Sequence, residues 1–310
     1  MNWHRSRGMR PGRAAFLLVT AAVPALCAAI ASADTVNVPA AKDNTLYFST
    51  SGSLSNGAGD FFFAGRTGVN TGGAIRRGLI QFNVAAHVPA GSTITGVTVR
   101  LFMSRTTSGP QQVGLHRVSA DWGEGSSNAA GNEGAGAAAA NGDATWIHRF
   151  RPNLTWFAQG GDFTPIASAT QSVDQIGFYT WDSSVNPQLI TNVQGWLNNP
   201  ATNFGWLLKG NETAGALHSA KRFDSRTNPI VANRPVLIVT YTPPAPPCSG
   251  NLPGDLDGDG MVDGDDVARF VDCVYTGSTS GGSCGCADVN QDGQVNMLDV
   301  ASFVQVLLNS

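Results

Sequence analysis

Alternating apolar and polar residues fill the middle of the chain and predict β-strands. In Thr93–Phe102 the alternation is regular except for a slip at Gly96, which indicates a β-bulge. Other short runs share this β-type pattern: Leu46–Phe48, Phe61–Phe63, Gly78–Phe82, Gln112–Val118, Trp146–Phe150, Gln175–Trp181, Phe204–Lys209 and Arg234–Tyr241. One helix is predicted over Gln188–Leu197, ended by Asn198-Asn199-Pro200. The pattern indicates a mainly β protein with a jelly-roll-like β-sandwich.

A different pattern begins near residue 255, where two acidic loops are each followed by apolar residues at helical spacing. The first set is Val267, Phe270, Val271 and Val274, and the second is Val300, Phe303, Val304, Leu307 and Leu308. Spacings of three and four residues predict two helices, each with a buried face.

Each acidic loop carries oxygen-bearing side chains at positions 1, 3, 5, 9 and 12 and Gly at position 6 (Gly260 and Gly293). Ca²⁺ takes six to eight oxygen ligands, the Gly allows the sharp turn, and a backbone carbonyl serves at position 7. The predicted ligands of site 1 are Asp255, Asp257, Asp259, Met261, Asp263 and Asp266. Those of site 2 are Asp288, Asn290, Asp292, Gln294, Asn296 and Asp299. We therefore expect two Ca²⁺ ions.

These paired loop–helix units, with Asp at position 12 and Pro253-Gly254 before the first loop, resemble dockerin domains over residues 251–310. The resemblance implies a small calcium-folded α-helical module that docks onto a cohesin of another protein. Relatives that dock in the best-known way carry a Ser-Thr-like pair at loop positions 10 and 11. Here those positions are Gly264-Asp265 and Met297-Leu298, which makes these four residues the docking candidates and leaves the partner open.

The first 33 residues have the organisation of a Sec-type signal peptide. Four Arg precede an apolar stretch over residues 14–30, and Ala31-Ser32-Ala33 is a small-residue cleavage site before Asp34. The stretch is short for a membrane span and is interrupted by Pro24, and no later stretch is long enough to span. We expect a secreted protein, extracellular or at the cell surface.

Charge is divided unevenly along the chain. Residues 249–310 hold ten Asp, no Glu and one Arg, a net charge of −9, while residues 34–247 carry a net charge of +2. Bound cations would neutralise much of the acidity of the C-terminal segment. The slight positive charge of the body is too weak for a nucleic-acid-binding protein but is compatible with an acidic polysaccharide.

The cysteines of the processed chain lie in or beside the acidic segment: Cys248, Cys273, Cys284 and Cys286. An even number of cysteines in a secreted protein predicts disulfides. A bridge between Cys284 and Cys286 would close too tight a ring, so each should pair with Cys248 or Cys273. Zinc is the alternative, but no His lies nearby.

Between the signal and the acidic segment, the chain resembles DNRLRE-type (disaggregatase-related) domains. The resemblance is carried by Asp43–Tyr47, Arg76–Phe82, Pro89–Ile94, Lys221–Arg226 and Arg234–Tyr241. It implies a secreted β-sandwich, and some relatives bind acidic polysaccharides such as alginate. The predicted organisation is a signal peptide at 1–33, a β-sandwich at 34–242, a Pro-rich linker at 243–250 and the dockerin-like module at 251–310.

Sugar binding requires an aromatic platform with polar partners, and a uronate carboxylate suits the guanidinium fork of Arg. The candidates are Arg76, Arg77, Lys221, Arg222, Arg226, Trp122, Trp146 and Trp156. Core packing explains the Trp residues about as well, since Trp is highly buried on average. Solvated strand residues or sheet-edge charges explain the basic residues about as well.

A catalytic site is not apparent in the sequence. No pair of acidic residues stands out as the two carboxylates that acid–base cleavage of a polysaccharide needs, and the His residues are scattered. The segment from Gly123 to Asn141 is rich in Gly and Ala and is predicted to be a long surface loop, functional or disordered.

Taken together, the residues and the two resemblances predict a secreted, non-catalytic polysaccharide-binding or scaffolding protein with a calcium-folded docking module. A structural or adhesive surface protein without sugar binding is the first alternative. A polysaccharide hydrolase or lyase with an unrecognised site is the second.

Overall fold

The computed structural model describes Met1 and residues 33–68, 73–243, 248, 252–276, 282–291 and 294–310. The chain divides into two compact units, one from Ala31 to Pro247 and the other containing Cys248–Ser310. Residues 2–32 of the predicted signal peptide and most of the predicted linker lie outside the described residues.

The first unit is built from β-strands, as its alternating pattern predicts. The strands described are β1 (Asp34–Tyr47), β2 (Leu54–Ser55), β3 (Phe61–Arg66), β4 (Ile75–Phe82), β5 (Thr93–Thr106), β6 (Gln111–Arg117), β7 (Ala137–Ala138), β8 (His148–Phe150), β9 (Leu154–Thr155), β10 (Ala169–Val173), β11 (Gly177–Asp182), β12 (Trp206–Lys209), β13 (Lys221–Asp224) and β14 (Val236–Thr242). Helix α1 (Gln188–Asn198) lies in this unit, and α2 (Val267–Thr276) and α3 (Asp299–Leu307) lie in the second. Short 3₁₀ turns occupy Val84–Ala86, Pro200–Thr202, Val231–Asn233 and Gly282–Ala287.

Two antiparallel sheets form the sandwich, and long strands contribute to both. In the first sheet β14 and β13 pair with β5, β11 pairs with β5, and β3 pairs with β13. In the second sheet the order is β1-β4-β12-β6-β10. The first half of β1 pairs with β14 and its second half with β4, with a register shift between Ala40 and Lys42. A bulge bends a strand, and here it lies where β1 passes from one sheet to the other.

The slip in the apolar pattern at Gly96 is a bulge, as predicted. Thr240 pairs with Gly96 but the next residue, Tyr241, pairs with Ile94, so Thr95 is the extra residue. The irregularity returns Ile94 to the buried side of β5.

The main core lies between the sheets and includes one side of α1. It contains the alternate apolar residues of β5 and β14 together with Trp181, Trp196 and Trp206. The rings of Trp196 and Trp206 meet edge to face, with centroids 4.4 Å apart.

A second apolar cluster covers part of the outer face of the second sheet. Leu46, Leu79 and Leu207 project outward from neighbouring strands, and residues of the 118–163 segment pack on them. That segment supplies Val118, Ala144 and the three tryptophans Trp122, Trp146 and Trp156. The segment is therefore a folded layer of the body.

The Gly/Ala-rich segment 123–141 is fixed to the sandwich by buried carboxylates. The Glu133 carboxylate accepts hydrogen bonds from Asn56 Nδ2 (2.7 Å) and from the backbone N–H groups of Asp60 (3.0 Å) and Phe61 (2.9 Å). The Asp143 carboxylate accepts from the N–H groups of Ser126 (2.8 Å) and Ala140 (2.7 Å). A buried carboxylate with several donors is stabilised in place, and these bonds hold a segment of low apolar content against the core.

No helix within the described part of the chain has the length and apolar content that crossing a membrane requires.

Replacing Glu133 with Gln tests whether its carboxylate holds the segment. The amide keeps the shape but has one acceptor oxygen, and its NH₂ would face N–H donors. We expect the free energy of unfolding in urea to fall by about 1–3 kcal/mol. Asp34→Asn, which changes an exposed carboxylate, is the control, and an equal effect of the two substitutions would contradict this role.

A pH dependence should arise at Asp43, whose backbone-facing Oδ2 accepts from the N–H of Arg226 at 2.7 Å. Burial raises the pKa of Asp43 to about 7. The folded protein therefore keeps a proton on Asp43 that the unfolded chain releases near pH 4. Binding of this proton stabilises the folded state at low pH, and the stabilisation is lost as the pH rises through 7. Unfolding free energies at pH 5 and pH 8 should show Asp43→Asn gaining stability relative to the wild type at the higher pH. If the difference in unfolding free energy between Asp43→Asn and the wild type is the same at pH 5 and pH 8, the raised pKa of Asp43 is refuted.

Candidate metal centre and docking face

The first acidic loop brings three carboxylates together in the way a calcium ion requires. One carboxylate oxygen from each of Asp255, Asp257 and Asp259 lies within 4.8 Å of the other two. Oxygens that bind one Ca²⁺ at 2.3–2.6 Å cannot be more than about 5 Å apart. Asp255 is fully buried, and a buried carboxylate among other carboxylates requires a positive partner.

Backbone hydrogen bonds hold these side chains in the turn. The Asp255 carboxylate accepts from the N–H groups of Gly258 (2.7 Å) and Gly260 (3.0 Å), and Asp259 accepts from the N–H of Met261 (2.8 Å). Gly260, at position 6, has a φ of +91°, which a side chain would strain.

Asp266, at position 12, closes the loop from its other end. One of its oxygens accepts from the N–H groups of Leu256 (2.6 Å) and Asp257 (3.0 Å), and the other accepts from the N–H of Asp263 (2.9 Å). Asp266 immediately precedes α2, where a carboxylate also favours the helix N-terminus. The start of the helix is thereby tied to the metal loop.

The second loop repeats these bonds at the same positions. Asp299 accepts from the N–H groups of Asn290 (3.1 Å) and Asn296 (2.9 Å), and it begins α3. The Oδ1 of Asn296 accepts from the N–H of Leu298 (2.8 Å), as Asp263 accepts from Asp265 (2.9 Å) in the first loop. Asp288 and Asp299 are buried, while Asp292 and Gly293 lie outside the described residues.

The donor set fits calcium in both loops. Carboxylate, amide and carbonyl oxygens are hard ligands, and no Cys or His occupies these positions in the loops. Asp255, Asp257, Asp259, Asp263 and Asp266 would hold the first ion with the carbonyl of Met261. Asp288, Asn290, Asn296 and Asp299 would hold the second with the carbonyl of Gln294. Calcium would supply charge neutralisation, and it takes no part in any reaction proposed for this chain.

Between the loops the module has a small apolar core. The rings of Phe270 and Phe303, one from each helix, stack 3.9 Å apart at an angle of 4°. Val262 and Val295, at position 8 of the two loops, are buried beside them. Each loop therefore contributes one apolar residue to the core that its helix helps to form.

Two disulfides join the module, as the cysteine spacing predicts. Cys248 pairs with Cys286, and Cys273 in α2 pairs with Cys284. Each cysteine of the Cys284–Cys286 pair thus bonds to one distant partner, which confirms the predicted exclusion of a bridge between them. Disulfides of this kind typically contribute 2–4 kcal/mol, a large share for so small a module.

The apolar face of α2 and α3 differs from its prediction. Of the residues predicted to be buried, Val271 is 58% exposed and Val304 is 44% exposed, while Phe270 and Phe303 are buried. Two short helices bury only the residues that face each other, so the rest of their wide apolar stripe stays at the surface. The exposed part lines a groove of about 620 Å³ between the helices: Val267, Val271, Tyr275, Met297, Val300, Val304 and Leu307, over Phe270 and Phe303.

The predicted docking candidates are all at the surface. Gly264 and Asp265 are exposed, and Met297 and Leu298 are 74% and 69% exposed. Met297 also lines the groove between the helices. Sequence reasoning missed the rest of this face, although the width of the apolar stripes was a usable signal.

Several predicted glycan-binding residues are structural. Arg76, Lys221, Trp122, Trp146 and Trp156 are buried. The Lys221 ammonium donates to the carbonyls of Ser108 (3.2 Å), Gly109 (2.8 Å) and Asp174 (3.2 Å). The indole N–H of Trp122 donates to the carbonyl of Phe204, and that of Trp156 to the carbonyl of Thr145. These five side chains are not surface ligands, contrary to the prediction, because the 118–163 layer and the strand pairing enclose them.

Two further candidates are ion-paired within the body. Arg77 forms a two-pronged contact with Glu212 (2.8 and 2.9 Å) and lies over the ring of Trp146. Arg226 contacts both oxygens of Glu124. The five predicted basic residues therefore do not converge on one exposed face. Among the described residues, Arg222 is the one of the five that is neither buried nor within 4.0 Å of a carboxylate.

Comparison with protein families gives one assignment within the chain. Residues 253–308 match the model of the dockerin type I domain, which confirms the resemblance drawn from the two loop–helix units. Dockerin type I domains are docking modules for cohesins and generally bind calcium. The resemblance of the body to DNRLRE-type domains stays a prediction. A comparison of the chain with curated proteins gave no match.

Calcium titration of the full chain should distinguish the loop ligands from nearby acids. We expect isothermal titration calorimetry to give two sites in the wild type and one in Asp266→Asn, because the position-12 carboxylate closes the first loop. Asp265→Asn changes the neighbouring exposed carboxylate and should keep both sites. Two sites in Asp266→Asn would contradict the assignment of site 1.

Proposed function

We propose that this protein is a secreted, non-catalytic component of a polysaccharide-binding or polysaccharide-degrading assembly. Its C-terminal module docks onto a cohesin of a partner protein, and its β-sandwich body contacts an acidic polysaccharide. Two disulfides support secretion, since such bonds persist in oxidising compartments.

The main support for docking by the C-terminal module is the exposed apolar groove beside the two calcium loops. Its side chains include no charged residue, and Tyr275 and Met297 at its edge are 89% and 74% exposed. Exposed apolar patches of this kind on a small module mark protein–protein contact sites. Since the dockerin type I match covers this region, the occupant that we propose is a cohesin.

Calcium acts on docking by ordering the helices. Asp266 and Asp299 join the metal loops to the starts of α2 and α3, so closing the loops fixes where both helices begin. Free energy of metal binding becomes free energy of folding in such modules. The groove forms only when both helices lie side by side, so it depends on calcium binding.

The engagement of the acidic residues of the body supports a non-catalytic role. Glu124 and Glu212 are paired with arginines, and Glu133, Asp143 and Asp162 accept hydrogen bonds from backbone N–H groups. Cleavage of glycosides by the usual route needs two carboxylates placed on either side of one bond. Side chains held in this way serve the fold.

One observation favours an adhesive role for the body as a second candidate. Phe157 and Ile166 are 100% and 84% exposed. Asp162 holds the turn after Phe157 by accepting from the N–H groups of Phe157 (2.9 Å) and Ala158 (2.8 Å). Large apolar side chains held out by a fixed turn suit a protein contact.

Substitution within α3 tests the docking face. In Val304→Glu a carboxylate would enter the apolar groove, and we expect the affinity for a cohesin to fall at least tenfold in surface plasmon resonance. Gln305→Glu adds the same charge to the next residue, which lies away from the groove, and should bind as the wild type does. A panel of purified cohesins should be used with calcium and with chelator. Wild-type failure on every cohesin, or equal binding by Val304→Glu, would refute the proposal.

A further inference from the structure

Two arginines of the first sheet face each other without a carboxylate between them. Arg105 in β5 and Arg222 in β13 are direct partners in the antiparallel pairing. Like charges directly opposite each other on neighbouring strands destabilise a sheet. This pair therefore lowers the stability of the body unless something negative lies against it.

Some other basic residues of the body are paired with carboxylates. Lys42 contacts Asp121 at 2.8 Å, Arg77 contacts Glu212 at 2.8 Å, and Arg226 contacts Glu124. Within the described residues, no carboxylate oxygen lies within 4.0 Å of Arg105 or Arg222. Residues 69–72, which lie outside the described residues, contain no acidic residue.

The two guanidinium groups share one neutral acceptor and are held in position. Nη1 of Arg105 and Nη1 of Arg222 both donate to Oδ1 of Asn132, at 3.0 and 3.3 Å. Nε of Arg222 donates to the hydroxyl of Ser104 at 3.1 Å, and its guanidinium lies 3.6 Å from the ring centroid of Phe61. Burial lowers the pKa of Arg222, and the charge of Arg105 lowers it further, while the carboxylates of Asp224 and Glu133 oppose this shift.

Asn132 is itself fixed by the buried carboxylate next to it in the chain. Glu133 is anchored to Asn56, Asp60 and Phe61, so the Gly/Ala segment brings Asn132 to the arginines. Around them is a cavity of about 250 Å³, also lined by Thr106, Thr107, Gly134 and His218. Hydroxyl, amide and imidazole groups thus surround a positively charged centre.

We propose that this arginine pocket binds the carboxylate or sulfate group of an acidic polysaccharide. The proposal rests on the proposed polysaccharide-binding function and gives it a location. An anion there would relieve the repulsion between the arginines and accept hydrogen bonds from two planar donor forks. The cavity is smaller than the 300–1,000 Å³ of sites for drug-sized ligands, so it suits one charged group of a longer chain.

The test measures binding of the full chain to alginate, to a sulfated polysaccharide and to a neutral glucan by affinity electrophoresis. We expect retardation by at least one anionic polysaccharide and none by the neutral glucan. Arg105→Gln and Arg222→Gln should each weaken binding at least tenfold. Arg149→Gln removes the same charge from the layer on the other sheet and should change binding less than twofold. Alginate binding identifies a carboxylate ligand, and binding to the sulfated polymer alone identifies a sulfate ligand.

Thermal unfolding of the same variants separates a binding site from a structural role. Removing one of two repelling charges should leave the midpoint temperature of Arg105→Gln unchanged or raised while its binding falls. If Arg105→Gln has a lowered midpoint temperature and unchanged polysaccharide binding, the two arginines have a structural role and the proposed binding pocket is wrong.

The outcomes also separate the pocket from the wider function. If the wild type binds an anionic polysaccharide and the pocket variants bind equally well, or Arg149→Gln loses as much, the pocket is wrong and the polysaccharide function stands. If the wild type binds none, both fail, while cohesin docking is measured independently.

Discussion

Negative charge packed into a twelve-residue loop is the constraint on which the C-terminal module depends. Six of the twelve residues of the first loop are Asp, and carboxylate oxygens of three of them lie within 4.8 Å of one another. The backbone N–H groups of the loop satisfy part of this oxygen-rich centre, and a calcium ion would neutralise its charge. The module has little else to hold it, since its core is a stacked pair of Phe rings, a few apolar residues and two disulfides. The groove between α2 and α3 therefore depends on the chemistry of the loops.

The body uses the same type of group with a different counterpart. Glu133 and Asp143 are buried carboxylates, and backbone and amide N–H donors take the place that a cation would take in the acidic loops. These bonds order a segment whose Gly and Ala residues give it little apolar surface to bury. The arginine pair Arg105 and Arg222 is the reverse case, because the hydrogen-bond acceptors of its guanidinium groups, Asn132 and Ser104, are neutral. The hydrogen-bonded acids Glu133 and Asp143 thus maintain the fold, and the arginine pair is the part of the body that we propose for a ligand.

Features fixed by local spacing were predictable from the sequence. The loop ligands lie within twelve residues of each other, so their order alone indicates calcium, and the closely spaced Cys284 and Cys286 limit the disulfide pairings. The β-sandwich and α1 follow from apolar periodicity in the same way. Features that depend on distant parts of the chain were not predictable. Trp122, Trp146 and Trp156 are buried because a long segment folds over the second sheet, and Arg105 meets Arg222 only through strand pairing across more than a hundred residues.

The central claim is that calcium folds the docking module without being needed by the body. Hydrogen–deuterium exchange of the full chain, with calcium and with chelator, tests it most directly because it reports on each helix and strand separately. Amides of α2 and α3 should be protected with calcium and exchange rapidly with chelator, while those of β5 and β14 should be unchanged. Equal protection of α2 and α3 in both conditions would contradict the account.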